Sequence, residues 1–379
     1  MADLYSRSIM LPYNALGIMP VPVETVAINF FVNRTPVYSR LPHMTVGSLS
    51  FKIRNDNYRP NSTTVNEGAT FTAIDTTLTV TDASIFLPGD VIEIDTEQLL
   101  ITSISGEDLT VTRAYAGTTG ATHADASTIY LVGNTRTGGE VDQDALSRIP
   151  VTITQDLQTI QHPVQVAGSL ESASNYSLPL GVASLMGYER MKAMQEVADD
   201  YERSAYYGRG VTIASSTTKP YMKGLRTLIT THNTTSPTNA SAYKPSDLIR
   251  DTIQPCFTSG GNPDMLLVSA DFMTGLEIWG MAVQRLKAGE NIFGTPIDIF
   301  EAPFLTGIGI VPAPLLRTGT AICLTTQEVR NRTKRPMFDK PRGSRGDAVE
   351  SDVIMEAAIE LDNEYHHAWV SGITGFAAS

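Results

Sequence analysis

The chain has 379 residues, 42% hydrophobic and 18% charged, enough for two or three packed units. Forty acidic against 28 basic residues give a formal net charge of -12, which argues against a protein that grips duplex DNA over most of its surface. Charge below the ~25% of an average domain points to a surface covered by something else, for which neighbouring copies of the same chain would serve. Cys256 and Cys323 cannot form a disulfide framework and read as buried thiols of a reducing cytoplasm. The apolar stretch 11–31 is broken by Pro12, Pro20, Pro22 and Glu24, and residues 1–10 lack an apolar signal core, so no membrane span or secretory leader is expected.

Residues 1–45 carry Pro12, Pro20, Pro22, Pro36 and Pro42 among scattered apolar residues. Such proline density prevents a long helix, yet the segment is too apolar for a solvated tail. It fits an arm along a partner surface, or an N-terminal strand packed within its own domain. Over 46–59, Leu49, Phe51 and Ile53 alternate with Ser50, Lys52 and Arg54, the pattern of one strand, and its partner is expected to return over 136–150. Between them, 70–132 is Thr-rich, Lys-poor and built of short alternating runs. Leu78-Thr79-Val80, Val91-Ile92-Glu93-Ile94, Leu99-Leu100-Ile101, Leu109-Thr110-Val111 and Ile129-Tyr130-Leu131 are the strand candidates. Pro88-Gly89-Asp90 and Ser105-Gly106-Glu107-Asp108 supply turns. A small antiparallel barrel or sandwich at the tip of a hairpin is predicted.

Alternation resumes over 151–168, with an irregularity expected at His162-Pro163. A long helix is predicted over 178–207, where Val182, Met186, Ala193, Val197, Tyr201 and Ala205 share one stripe, and Gly208-Arg209-Gly210 ends it. Lys192–Glu196 and Asp199–Arg203 are spaced to pair along its outer face. Residues 222–325 read as a compact α/β unit: helices over 246–257 and 270–280, a buried strand over 265–269, and strands near 297–300, 308–311 and 320–324. Over 353–363, Met355, Ala357, Ile359 and Leu361 oppose Glu356, Glu360 and Asp362, as in a half-buried strand, and another strand is expected over 366–370.

Catalytic patterns are weak. His366-His367, adjacent in an expected strand, would point to opposite faces and could not chelate one ion. His43, His123, His162 and His232 lack Cys or carboxylate neighbours at ligand spacing, and Asp199-Asp200 read as solvated. Gly307-Ile308-Gly309 lacks the third glycine and the following helix of a dinucleotide fingerprint. No catalytic, cofactor or metal site is expected. More informative is a basic cluster, Arg330, Arg332, Lys334, Arg335, Lys340, Arg342 and Arg345, opposed only by Asp339. It reads as a solvated loop, a DNA contact, or a loop reaching an acidic surface of another copy such as Glu356, Glu360 and Asp362, for which the planar arginine fork is suited.

The order of parts resembles the Hong Kong ninety-seven capsid fold of the major capsid proteins of tailed double-stranded DNA bacteriophages. Thr35-Pro36-Val37-Tyr38-Ser39-Arg40-Leu41-Pro42, Val46-Gly47-Ser48 and Arg59-Pro60-Asn61 look like the start of the E-loop in a branch that carries a small β-domain inside that loop. Val111-Thr112-Arg113-Ala114-Tyr115-Ala116-Gly117-Thr118-Thr119 with His123 is similar to the insertion's ending. Glu189-Arg190, Leu225 and Asn363-Glu364-Tyr365-His366-His367-Ala368-Trp369-Val370-Ser371-Gly372 fit later landmarks. Arg113-Ala114-Tyr115 stands where the branch often has Arg-Gly-Tyr, a departure that bears on the local turn.

The resemblance implies an α+β fold: an N-arm (1–45), an E-loop (46–150) holding an all-β barrel or sandwich at about 70–132, a P-domain (151–221 and 326–379) with a spine helix, and an A-domain (222–325). It implies a self-assembling subunit of pentamers and hexamers in an icosahedral head, not an enzyme, enclosing double-stranded DNA without sequence-specific binding. Portal, scaffolding, protease or decoration proteins are implied partners, with assembly in the host bacterial cytoplasm, residence in the virion and no membrane. The arm starts near Met1, so any scaffold is expected to be a separate chain. A tail or carbohydrate-binding virion protein would account for the Thr-rich insertion but not for the long helix and α/β unit.

Overall fold

A computed structural model describes residues 34–56, 59–138, 150–171, 184–215, 217–283, 298–302, 305–343 and 346–377. The expectations for 1–33, for 172–183 at the start of the long helix, and for Arg345 lie outside these residues. The chain divides into two compact units, one from Met1–Asp56 with Val151–Ser379, the other Asn57–Pro150.

The first unit is organised by β19 (Ala348–Leu361), the longest strand among the described residues. It pairs antiparallel with β18 (Val329–Pro341) on one side and β10 (Gln158–Ala167) on the other. β1 (His43–Thr45) adds parallel to β18, giving the order β1-β18-β19-β10. The strand is not half-buried: besides Met355, Ala357, Ile359 and Leu361, the opposite-face Ile354, Ala358 and Glu360 are also covered. A central strand flanked on both sides has both faces available for packing, which alternation alone does not reveal.

Against this sheet lies α3 (Leu185–Tyr207), whose contacts fall on β10 and β19. Ser184 caps it, its Oγ accepting the Gly187 N–H at 3.0 Å. Leu185, Met186, Ala193, Val197, Tyr201 and Ala205 form the buried stripe. The described helix is about 35 Å long at its usual rise. Lys192 turns back to Glu189 at 3.0 Å rather than forward to Glu196, which faces His162. Gly208 ends the helix because backbone crowds it: a Cβ there would lie 2.3 Å from the Met222 carbonyl oxygen. A one-turn α2 (Gly168–Glu171) precedes the long helix, Glu171 accepting the Met186 N–H at 2.9 Å.

β2 (Ser50–Asn55) forms a two-stranded ribbon with β9 (Val151–Asp156), later than the partner expected over 136–150. The chain break between β9 and β10 is Leu157, and Pro163 pairs in register with Asp352. The irregularity expected at His162-Pro163 does not form because β10 is an edge strand, where a missing N–H costs no ladder bond.

The α/β part holds a mixed six-stranded sheet: β13 (Asn233–Thr234), β20 (Ala368–Val370), β17 (Ala321–Leu324), β14 (Met265–Val268), β16 (Leu305–Pro312) and β15 (Asp298–Ala302). Around it run a β11–β12 hairpin (Arg209–Val211, Tyr221–Lys223), α4 (Leu225–Leu228), α5 (Pro245–Leu248), a π-turn over Ile249–Ile253, α6 (Gln254–Thr258) and α7 (Ala270–Val283). The closing residues return to this sheet: β20 lies between β13 and β17, and Phe376 packs edge-on against Phe272 and Trp279 at 5.2 and 5.8 Å. The sequence had grouped 326–379 away from 222–325; the pairing of β20 with β17 crosses that division. Cys256 and Cys323 are both buried as free thiols.

The second unit is a closed barrel of β3 (Ser62–Thr64), β8 (Thr128–Asn134), β5 (Asp90–Ile94), β6 (Glu97–Ser105), β7 (Asp108–Thr112) and β4 (Thr77–Thr79), in that order. A Val65–Val80 bridge, with Asn66 N–H on the Thr79 carbonyl at 2.9 Å and Thr81 N–H on the Thr64 carbonyl at 3.0 Å, joins its first and last strands. Closure removes the exposed edges that an open sheet would present. Strand β3 lies before residue 70 and escaped the sequence reading because Ser62-Thr63-Thr64 has no apolar alternation.

Glu97 is the polar centre of the barrel. Its fully buried carboxylate takes a two-bond fork from Arg113 (2.8 and 2.7 Å), the N–H groups of Ala114 and Ala121, and His123 Nε2 at 3.0 Å. Burial raises its pKa, but these bonds outweigh burial and hold it well below the usual carboxylate range. Arg113 stacks on Phe71 with its carbon 4.3 Å from the ring centre. Ala114 adopts φ 52°, the left-handed conformation for which glycine carries no steric cost. Glu97→Gln is expected to lower stability by about 3 kcal/mol, because a buried guanidinium loses its counter-charge. Thermal unfolding of the variant checks it; an unchanged midpoint would contradict the assignment.

Candidate functional site

The basic cluster is a strand, not a loop. Val329, Asn331 and Thr333 of β18 are buried while Arg330, Arg332 and Lys334 alternate outward, so the ladder to β19 places arginines over acids of the same chain. Arg330 reaches Asp362 at 2.7 Å and Glu360 at 3.4 Å. Arg332 forks onto Glu360 at 2.7 and 2.9 Å. Arg335 pairs with Glu356, whose pKa is lowered chiefly by that bond, and Arg342 reaches Asp352 at 2.5 Å. Glu356, Glu360 and Asp362 are therefore partners within the chain. The side chains of Lys334 and Lys340 form no hydrogen bond or ion pair with described residues, although Lys334 lies near enough to help lower the Glu356 pKa, and Lys340 is exposed.

A second joint fastens residues 35–46. Glu202 on α3 is fully buried and accepts the N–H of Val37 and of Tyr38, both at 2.9 Å, and the hydroxyl of Tyr206. Asn331 on β18 receives the Tyr201 hydroxyl at 2.7 Å and donates to the Val37 carbonyl at 2.9 Å. Tyr38 meets the Tyr201 ring edge-on at 5.7 Å. The one-turn α1 (Pro36–Arg40) thus sits on the long helix through polar groups 164 or more residues away in sequence, and sequence patterning singled out neither Glu202 nor Asn331.

A third joint is built by Asn363-Glu364-Tyr365-His366-His367. Asn363, at φ 51°, accepts the Asp56 N–H on Oδ1 at 2.9 Å and donates its own N–H to the Arg54 carbonyl at 3.2 Å. Glu364 accepts the Thr230 N–H at 2.7 Å and its hydroxyl. The expected strand over 366–370 begins only at Ala368, because Glu364–His366 is a turn. Both imidazoles consequently approach one carboxylate, Glu328, at 2.8 Å from His366 and 3.7 Å from His367. His367 accepts the Thr325 N–H on Nδ1 at 3.2 Å and so carries its proton on Nε2, toward the Asp362 carbonyl at 3.1 Å. Burial pushes its pKa down to about 4. These bonds join the end of the β2 ribbon, the end of β19 and the 230–231 segment. Among the described residues no His, Cys, Asp or Glu group is arranged to hold a metal ion, and no helix is long and apolar enough to cross a membrane.

His162 on β10 reaches Asp200 at 2.8 Å and Glu196 at 3.4 Å on α3, in a groove of about 430 Å³ also lined by Arg34, Tyr188, Lys192 and Asp199. The mixed charges of this lining suit ion pairing rather than an apolar ligand. The hydrogen bond to Asp200 raises the His162 pKa, so the tie is complete below the imidazole's ordinary value and is lost as pH rises through the raised one. His162→Gln is expected to cost about 0.5 kcal/mol at pH 5, a figure discounted for exposure, and almost nothing at pH 8. Urea unfolding at the two pH values reads this; an equal cost at both would contradict it.

Residues 12–374 match the family model described as the SU10 major capsid protein. Among solved structures, the holo-SrpI encapsulin complex from Synechococcus elongatus PCC 7942 aligns with TM-score 0.50 at 10% identity, covering 97% of this chain and 96% of that one. That likeness establishes a shared fold. A capsid of a native GTA particle aligns at TM-score 0.49 and 10% identity over 97% and 98% of the two chains. A structure from Mycobacterium phage Bobi aligns at 0.48 and 12% over 96% and 99%. No curated protein sequence matches the chain.

Proposed function

The chain belongs to the SU10 major capsid protein family, and from that membership we propose that it assembles into pentamers and hexamers of an icosahedral phage head around double-stranded DNA. It is a structural major capsid protein of a tailed phage, not an enzyme. The observation within the molecule that supports shell building is its underpartnered β structure. Among the described residues the β2–β9 ribbon has two strands, with Leu49 50% and Val151 64% exposed beside it. Two-stranded ribbons are marginal alone, and apolar area left wet gains from a neighbour. On this reading α3 is the spine helix of a P-domain whose sheet is β1-β18-β19-β10. The sheet around β14 is the A-domain, and the ribbon with the barrel is the E-loop. Portal, scaffolding, protease and decoration proteins of the same phage are the further partners, and the virion is the destination.

Charge supports an outward position for the barrel. Residues 57–150 hold 13 acidic and 4 basic side chains, none of them lysine, a balance of -9 out of the chain's -12. A surface of that sign is repelled by packaged phosphate backbone. Exposed Tyr130 (54%) and Val132 (53%) on β8 offer apolar area to a neighbouring capsomer. The two unpaired lysines of β18, Lys334 and Lys340, are the best remaining candidates for a contact with an acidic surface of another copy.

Two measurements test this. Expression with the neighbouring phage genes, followed by negative-stain microscopy, is expected to give closed shells; open tubes would favour a tail protein, and a compact monomer at every concentration would overturn the reading. Joint Lys334→Gln and Lys340→Gln substitution is expected to lower the melting temperature by no more than a few degrees and cut shell yield at least tenfold. Parental yield would remove these lysines from the contact.

A further inference from the structure

Glu202 is a buried carboxylate without a cation. It is 0% exposed, and among the described residues no lysine or arginine lies within ion-pair distance of it. Buried acids ordinarily take such a partner. Here the partners are three neutral donors: the backbone N–H groups of Val37 and Tyr38 and the hydroxyl of Tyr206. Two of the three belong to the segment 35–45, which crosses α3, is tied to β18 by Asn331 through the Val37, Leu41 and Pro42 carbonyls, and then pairs with β18 over His43–Thr45. We propose that Glu202 is a proton-gated clasp, holding segment 35–45 on α3 while it carries a proton and loosening it once the proton leaves.

The surrounding groups set the direction. On α3 the carboxyl is faced by Asp199, Tyr201 and Tyr206; from α1 by Tyr38; from β18 by Asn331, which is uncharged. Arg34, ahead of α1, is engaged by Asp199 at 2.9 Å. Burial pushes the Glu202 carboxyl up to about 7, Asp199 adds to the rise, and the three hydrogen bonds restrain it. A protonated acid removes the buried charge. Its Oε1–H donates to the Tyr206 oxygen, its carbonyl Oε2 still accepts the Tyr38 N–H, and the Val37 N–H keeps only the weaker lone pair of the hydroxyl oxygen. Once the segment lifts and water enters, the carboxyl returns toward its ordinary value of 4.5. The clasped state therefore binds the proton more tightly than the open one. Opening grows as pH rises from 4.5 to 7 and levels off above, by roughly 70-fold between pH 5 and pH 8. The clasp works in a single chain and needs no assembled shell.

Hydrogen exchange at the Val37 and Tyr38 amides, whose hydrogens point at Glu202, reads the clasp directly. On the unassembled full-length chain, corrected for intrinsic exchange, protection is expected to fall by roughly 70-fold from pH 5 to pH 8. In Glu202→Gln it should be flat with pH. Tyr206→Phe, which deletes a bond that favours the anion, should move the midpoint up; Asp199→Asn, which deletes a nearby negative charge, should move it down. A pH-flat parent, or a Gln variant that follows the parent's profile, overturns the proposal. If the Gln variant does not fold, the opposite midpoint shifts decide, and shifts that are absent or of one sign overturn it.

Discussion

The ladder of β19 with its two neighbours is the constraint from which the first unit follows. Fourteen residues of β19 meet ten of β10 in unbroken register and most of β18 on the other side. Covering both faces requires α3 on the sheet and permits only small or well-partnered residues elsewhere. Ala358 satisfies the first condition, and Glu360 beneath the Arg332 fork satisfies the second. The arginines of β18 act as lids on buried acids. Their value lies in avoiding an uncompensated charge rather than in the modest net worth of an ion pair.

The same strand ends determine where the chain's other parts attach. Glu364 and Asn363, just beyond β19, hold the ribbon end and the 230–231 segment, and Asn331 on β18 holds α1. The attachments are hydrogen bonds that range from exposed, at Asp56–Asn363, to buried, at Asn331–Val37, and the titratable groups around them have individual protonation states. His367 is neutral by burial and resists acid poorly, whereas His162 and His366 bind carboxylates more firmly when protonated. Acid thus strengthens the tie of β10 to α3 and the His366–Glu328 contact while straining the turn that carries His367. A capsid subunit with several such joints can shift its parts without losing its central sheet.

Much of this architecture is legible in the sequence where burial is one-sided or periodic. Alternation marks most barrel strands, a continuous apolar run marks β14, and the stripe from Met186 to Ala205 marks α3. Legibility fails where pairing, not pattern, decides. The segment from Arg330 to Arg342 looks like a solvated basic loop because its acidic partners lie ten or more residues away on β19. Glu202, Glu97 and Asn331 carry no local signal, since a buried polar residue is recognised only by donors brought from distant chain. His162 and His123 have carboxylates in contact that no spacing rule connects to them. Barrel closure likewise rests on the Val65–Val80 bridge, whose Val65 side, Ser62 to Asn66, has no apolar alternation.

Residue-resolved native-state hydrogen exchange on the unassembled chain bears most directly on the role given to β19. Strands that hold a cooperative unit together open only with global unfolding. The amides of residues 353–361 are expected to be the last in the first unit to exchange, together with the buried stripe of α3, and later than those of the sheet around β14. Exchange of 353–361 through local opening, at or before the rate of the β14 sheet, would contradict the account.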